Sequence, residues 1–317
     1  MEVFSGVRIA RRLVVVALLV LVAGCSTDAD GTASKDRPRT AAPEGFEHRA
    51  AAVNGVRLHY VIGGKGPAVV LLHGFPETWY AWRNVMPTLA EEHTIIAPDL
   101  RGIGDSSLEE SGYDKETLAE DVHGLVRSLG FEEVSVVGHD MGAMTAYAYA
   151  REHREETSHL VLMGAALPGF GLEEFMDFSS PKGSRYHLVF FQQRGIPEKL
   201  IEGQERYYLE RFTGGEAVVG AEALDEYVRA YSRPGRLEAA LGQYRAIYRD
   251  AEHNRRKAMP KLEMPVLALG GGSAEPALGS ARRVAEAVEA GAVPNAGHYL
   301  HEERPEEVAG RLLNFLG

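Results

Sequence analysis

Cysteine is almost missing. Cys25 is alone among 317 residues, so no disulfide can form within the molecule and the fold must rest on its core. Positive charge is scarce too: the formal net charge is −11, and no basic cluster interrupts the folded region, so nucleic-acid phosphates and anionic lipid surfaces are repelled. The apolar run from Leu13 to Ala23 is too short to span a bilayer comfortably. There is no Cys/His cluster at metal-ligand spacing, no phosphate-binding glycine loop and no internal repeat, so neither a metal nor a cofactor is expected. What remains is an ordinary composition, 45% hydrophobic and 25% charged, which favours one globular core with an inserted subdomain over an array of small domains.

The N-terminus has a character of its own. Arg8, Arg11 and Arg12 precede the apolar run, which reads as an export signal. The run ends in Val22-Ala23-Gly24-Cys25, and this resembles the lipobox of bacterial lipoproteins, in which the cysteine is lipidated. The resemblance implies a signal peptide over 1–24, a lipid on Cys25 and a protein held outside the cytoplasm, at the cell surface or the periplasmic face. A cleaved signal with an incidental cysteine, and secretion, is the alternative. Ser26 to Glu44 is rich in Thr, Ala, Asp, Lys and Pro without apolar period, so 25–45 reads as a tether.

From Phe46 onward strand-like and helix-like stretches alternate, which predicts an α/β architecture with a mostly parallel sheet. Val56–Ile62 alternates like a half-buried strand. Ala68–Leu72, Thr94–Ala97, Val134–Val137, Leu160–Met163 and Val266–Leu269 are short apolar runs suited to strands covered on both faces. Lys115–Leu129 has helical character. The stretch 168–261 carries aromatic, Arg and Glu residues at helical spacings and no convincing strand, so it is expected to be a helical cap dividing a core of 46–167 and 262–317.

The strongest chemical signal is Gly138-His139-Asp140-Met141-Gly142 at the end of one apolar strand and the start of a helix-like segment. Glycines permit a tight strand-to-helix turn that holds the central side chain exposed at a helix N-terminus. In isolation an N-capping Asp would read the same way. As a nucleophile, however, a carboxylate narrows the chemistry: attack on an ester carbonyl gives an anhydride, whereas attack on saturated carbon gives an ester that water can hydrolyse. A carboxylate needs no base to attack, which leaves a histidine for the second step. Pro294-Asn295-Ala296-Gly297-His298 supplies it, since the expected chain order is nucleophile, acid, histidine; His298 is therefore assigned as general base and nearby His301 is not. Upstream, Leu72-His73-Gly74-Phe75-Pro76 ends a strand, and the backbone N–H groups of Phe75 and Met141 are the expected oxyanion donors.

From Phe46 to Leu316 the sequence resembles the α/β-hydrolase-fold epoxide hydrolases, and within them the Cif-type secreted bacterial group. The likeness rests on the His-Gly-Phe stretch, Ala97-Pro98-Asp99-Leu100-Arg101-Gly102, Gly138-His139-Asp140 and Gly297-His298, with Tyr186-His187-Leu188-Val189-Phe190-Phe191 and Gln243-Tyr244-Arg245-Ala246 in the cap. It implies an eight-stranded, mostly parallel sheet with a helical lid, and a His/Tyr pair, His187 and Tyr244, that donates hydrogen bonds to the epoxide oxygen. Without the resemblance these two would read as packing residues of a helical lid. The pattern breaks at the triad acid. Cif-type enzymes carry Glu after the strand preceding the lid, where this chain has Gly164; the loop after Val266–Leu269 offers only Glu275, one residue beyond the usual position. Glu275 is the candidate to orient His298, against a plain first-turn carboxylate of a helix expected around Ala281 to Ala290.

The implied substrate is a small apolar epoxide, and the lid aromatics Phe175, Phe178, Phe190 and Phe191 suit an apolar pocket. A haloalkane or haloacid dehalogenase would use the same Asp and His, but Met141 and Met144 stand where halide-binding Trp or carboxylate-binding Arg would be sought. A catalytically silent surface binding protein of the same fold is the reading of another class. Membrane contact is expected only through the lipid anchor, and a homodimer is left open.

Overall fold

The apolar runs of the sequence become the middle of an eight-stranded sheet in the computed structural model, which describes residues 40–176 and 185–317. The expected signal segment, Cys25, most of the tether and Phe178 lie outside the described residues. The strands are β1 (Phe46–Val53), β2 (Val56–Gly64), β3 (Ala68–Leu72), β4 (Thr94–Pro98), β5 (Val134–His139), β6 (Thr157–Met163), β7 (Val266–Gly271) and β8 (Val288–Val293), in the order β1-β2-β4-β3-β5-β6-β7-β8. β2 pairs antiparallel with both β1 and β4, and every other pairing is parallel. Every residue of β3 and β5 is buried, as a strand covered on both faces requires, whereas edge strand β1 keeps much of its length accessible.

The helices in chain order are α1 (Met86–Leu89), α2 (Lys115–Ser128), α3 (Met141–Glu152), α4 (His187–Phe190), α5 (Ile196–Ile201), α6 (Glu205–Thr213), α7 (Glu216–Val219), α8 (Ala221–Tyr231), α9 (Arg236–Arg245), α10 (Ile247–Lys257), α11 (Glu275–Val284), α12 (Leu300–Glu303) and α13 (Pro305–Leu316). α2 starts on Asp114, whose side chain accepts from the Thr117 N–H and satisfies one of the otherwise unpaired amides of a helix start. α3 is buried from Met141 to Arg151; its alanines let it lie close against β5 and β6 and fix the turn that precedes it. Between β6 and β7 every named element of the described chain is a helix, from a 3-10 turn at Leu172–Met176 through α10. α8 shows why: Ala223, Leu224, Tyr227, Val228 and Tyr231 bury one helical stripe. No described helix is long and apolar enough to cross a membrane.

The sequence-based expectation fails at one element. The helix placed around Ala281 to Ala290 starts earlier, at Glu275, and stops at Val284, and Val288–Val293 is edge strand β8, paired in register with β7 from Val266 to Gly271. Its burial alternates poorly and it contains Glu289 and Gly291, so it carries little strand periodicity of its own; pairing to β7 decides its conformation.

Candidate active site

The turn between β5 and α3 puts Asp140 at φ 50°, ψ −117°, a backbone conformation costing an L residue about 1–3 kcal/mol and found where a turn is over-determined by its surroundings. A Cβ on Gly142 would stand 2.2 Å from the Leu72 carbonyl oxygen, so α3 can approach β3 closely only with glycine there. Asp140 makes no side-chain capping bond to α3. Instead its carboxylate points at the neighbouring loop: the Phe75 N–H donates to Oδ1 at 3.2 Å, while Oδ2 stands 3.6 Å from His298 Nε2. The two oxygens are thus distinguished, one facing an amide donor and the other facing an imidazole. The second expected donor, Met141, begins α3 and makes no hydrogen bond to Asp140 among the described residues.

His298 sits on the loop between β8 and α12, and that loop is gripped by one side chain. Glu303 accepts from the Gly297 N–H at 2.8 Å and the Tyr299 N–H at 3.1 Å, so the amides on both sides of the histidine are held by one carboxylate. Its carbonyl is held from the other direction by His139 Nε2 at 2.9 Å. Tyr299 ties this loop to the one after β3 by donating its hydroxyl to the Phe75 carbonyl at 3.3 Å.

Motif reading passed over a buried chain of polar groups behind His298. Glu77, fully buried, accepts from the Gly74 N–H at 2.8 Å and from His139 Nδ1 at 2.8 Å. His139 therefore donates from Nδ1 to a carboxylate and from Nε2 to a carbonyl; two donating nitrogens make it an imidazolium. Its electrostatics agree. Burial opposes charge on His139, but the Glu77 carboxylate overrides it and raises the imidazole above its ordinary value. Burial likewise works against charge on Glu77, and the His139 and His301 rings still hold it well below the carboxylate range. His301 lies with Nε2 3.0 Å from Glu77 Oε1, close enough for an ion pair but without hydrogen-bond alignment, and its ring stacks on Trp82. The residue set aside in favour of His298 is thus part of its support. Histidines in both the Gly-His-Asp and the terminal motif were the available signal.

A cation behind His298 has a consequence. Burial, reinforced by repulsion from the His139 ring 4.7 Å away, outweighs the Asp140 carboxylate and lowers His298 to about 4. The ring is neutral at pH 7, able to accept a proton, and nearly a third of its side-chain surface (31%) remains accessible.

His187, from the first residue of α4, and Tyr244, from the last turn of α9, meet across the cap with ring centroids 5.9 Å apart. Phe75 packs edge-on against Tyr244 at 5.5 Å and against Phe191 and Phe212, so the loop that touches Asp140 through its amide touches the cap through its ring. Burial, then the Asp140 charge, raises Tyr244 well above its ordinary value, and burial lowers His187 to about 4 against the pull of Asp140. Both are neutral N–H or O–H donors at pH 7, and neither side chain hydrogen-bonds another described residue.

The triad acid is where sequence reasoning went wrong. Glu275 is the first residue of α11, exposed, with its N–H on Ser273 Oγ, and no hydrogen bond or ion pair joins it to His298 among the described residues. Its first-turn position beside the helix dipole accounts for it. Apart from Asp140, no described carboxylate pairs with His298.

Two clusters have enough His and acidic side chains to suggest a metal. In Glu77–His139–His301 the His139 nitrogens are both spent as donors, leaving no lone pair for an ion. In Glu120–His123–His153 each imidazole is engaged by a carboxylate, His123 by Glu156 and His153 by Glu120, and none of the residues around Asp140 takes part.

Residues 67–305 match the family model described as the alpha/beta hydrolase fold. Over 281 residues the chain is 40% identical to the soluble epoxide hydrolase of Corynebacterium sp. strain C12, covering 84% of this chain and 96% of that protein. It is 35% identical over 214 residues to a Burkholderia fluoroacetate dehalogenase, covering 64% and 70%. The crystal structure of the Cif epoxide hydrolase from Acinetobacter nosocomialis is similar at a TM-score of 0.81 and 28% identity, over 87% of this chain and 91% of that one.

Proposed function

The chain belongs to the α/β-hydrolase fold family, in its epoxide-hydrolase branch, and from that premise we propose that it converts epoxides to vicinal diols through an ester on Asp140. The observation that carries the reading is a carboxylate at a strained turn with one oxygen on an amide and the other facing a neutral imidazole, beneath a cap holding two neutral donors. Oδ2 attacks an epoxide carbon; the carbon–oxygen bond breaks, and the departing oxygen is stabilised by Tyr244 and His187, which supply its proton. Water then loses a proton to His298 Nε2 and attacks Cγ of the ester. Charge develops on Oδ1, where the Phe75 N–H waits, with the Met141 N–H as second donor. Collapse frees the diol, whose leaving oxygen takes the proton from His298, and the proton left on the Asp140 carboxyl passes through solvent to replace the one given up by the cap donor.

The test is His298→Gln given an epoxide and followed by intact mass. This reading expects an adduct of substrate mass on Asp140 and none in Asp140→Asn; absence of adduct across an epoxide panel overturns it. The likeness to a fluoroacetate dehalogenase favours a second reading, haloacid hydrolysis by the same two residues. Buried Met141 and Met144 give a substrate carboxylate no cation from the turn, which weighs against it. Halide release without diol from any epoxide would reverse the order. We further propose that export and lipidation at Cys25 hold the enzyme at a membrane surface.

A further inference from the structure

Beside His298 lies a half-open cavity of about 160 Å³. Gly164, Leu269, Gly270, Gly271, Ser273, Ala274 and Gly297 give it walls that are mostly backbone, and Arg185 is the one cationic side chain among its lining residues. Asp140, His187 and Tyr244 do not line it, so it is not the space in which substrate meets the nucleophile. Because Nε2 faces Asp140, the remaining imidazole nitrogen, Nδ1, is left for this side; it hydrogen-bonds no described residue. Arg185 stacks over Phe175 at 4.6 Å and pairs with no described carboxylate.

Charge balance makes this cavity consequential. As His298 takes a proton from water it becomes a cation close to the His139 imidazolium and the Arg185 guanidinium, both of which disfavour that charge. The carboxylate that favours it most is Asp140, and Asp140 is neutral while esterified, which is when the proton must be taken. Glu77 remains, but His139 already pairs with it. The base therefore has least anionic support at the step that needs it.

We propose that this cavity binds a small monocarboxylate anion, of formate or acetate size, between Arg185 and His298 Nδ1, and that the bound anion serves as the acid partner of the catalytic histidine. One anion oxygen accepts from Nδ1–H and the other from the guanidinium, the geometry a planar two-oxygen group fits. The first turn of α11, with Ala277 on the cavity wall, adds its positive dipole end. The chain has difficulty supplying such a carboxylate from Gly164: its φ is +68°, and a Cβ would stand 3.1 Å from the His139 ring. Ala274, by contrast, lines the cavity on a negative φ of −85° and can carry one. The catalytic consequence rests on the proposed Asp140–His298 mechanism; the binding itself does not.

The experiment follows the His298 imidazole by NMR in full-length, histidine-labelled protein, with the resonance identified by its loss in His298→Gln. Titrating formate should raise the His298 pKa by about one unit, the low end of what a carboxylate at contact does. Formamide should leave it unmoved. Arg185→Gln should abolish the response, and Ala274→Asp should show the raised value with no added anion and no response to formate. In parallel, formate should speed hydrolysis of the Asp140 ester about tenfold, within the range of general-base effects. A His298 titration indifferent to formate in the unaltered protein overturns the inference, whatever the activity. If epoxides form no Asp140 adduct, the proposed function falls instead, and the titration still decides whether the anion binds. Adduct formation with ester hydrolysis indifferent to formate removes the anion's catalytic role while the function stands.

Discussion

Replacing Glu77 with Gln removes one charge and, with it, the reason His139 carries another. A neutral His139 has a single N–H and must abandon either residue 77 or the His298 carbonyl, where now it serves both. Breaking a buried ion pair costs about 3–5 kcal/mol, so denaturant unfolding should show a loss of that size. Catalysis should change in a more specific way. At 4.7 Å and an effective dielectric near 20, a unit charge on His139 acts on one at His298 by about 3.5 kcal/mol. Loss of the Glu77 carboxylate, which favours a charged His298, cancels part of this. The net expectation is an acid limb moved up by about one unit from the wild-type limb, which in the ester lies below about 4 because the esterified Asp140 no longer favours the cation, with activity lost below the limb in both proteins because the base must be neutral. Single-turnover hydrolysis of the preformed Asp140 ester, followed from about pH 3 to about pH 8 so that the limb and the ordinary His range both fall within it, isolates that limb from epoxide opening. A variant whose limb stays at the wild-type pH, or moves down, refutes the account of His139 as a cation behind the base. Stability within about 0.5 kcal/mol of wild type refutes the buried pair itself.

Tyr244→Phe should slow ester formation by about a hundredfold, the usual loss for one transition-state donor, and leave ester hydrolysis little changed; rapid-quench mass spectrometry separates the steps, and equal slowing contradicts the assignment. Acid should destabilise the fold well above the carboxylate range. His187 and His298 titrate near 4 in the folded protein and near 6.5 when unfolded, so between those values the unfolded chain binds more protons and stability falls as pH falls. Glu302, raised to about 7, is the reverse case and offsets about one histidine, so these three groups together contribute a loss of about 2 kcal/mol from pH 7 to pH 5; an unchanged urea midpoint would count against the shifts. Cys25→Ser should move the protein from membranes to the soluble fraction and end its fatty-acid labelling. Continued membrane retention of the unlabelled variant would contradict anchoring at that residue.

How far the sequence reveals all this depends on how local each constraint is. The Asp140 turn was readable because strand, glycines and helix lie within a dozen residues and leave few conformations. The buried strands were readable because β3 and β5 are apolar on both faces. β8, whose burial alternates poorly and which carries Glu289 and Gly291, has no period that separates it from the helix before it, and β1, accessible over much of its length, was not singled out. The Glu77–His139–His301 cluster joins residues 62 and 162 positions apart, and nothing at any one of them announces the others. The acid partner was sought where a nearby glutamate happened to stand, and Glu275 answers to its own helix.

One asymmetry at the nucleophile has a consequence for the origin of the product's atoms. With one carboxylate oxygen facing the amide and the other facing the imidazole, the proposed ester route would make the oxygen that joins the product come from the protein, and the oxygen from solvent stay behind. Run once in isotopically heavy water, the enzyme would keep the heavy atom and release a light diol. After the carboxylate rotates, that atom leaves with a later molecule, so Asp140 holds a record of the water that reset it.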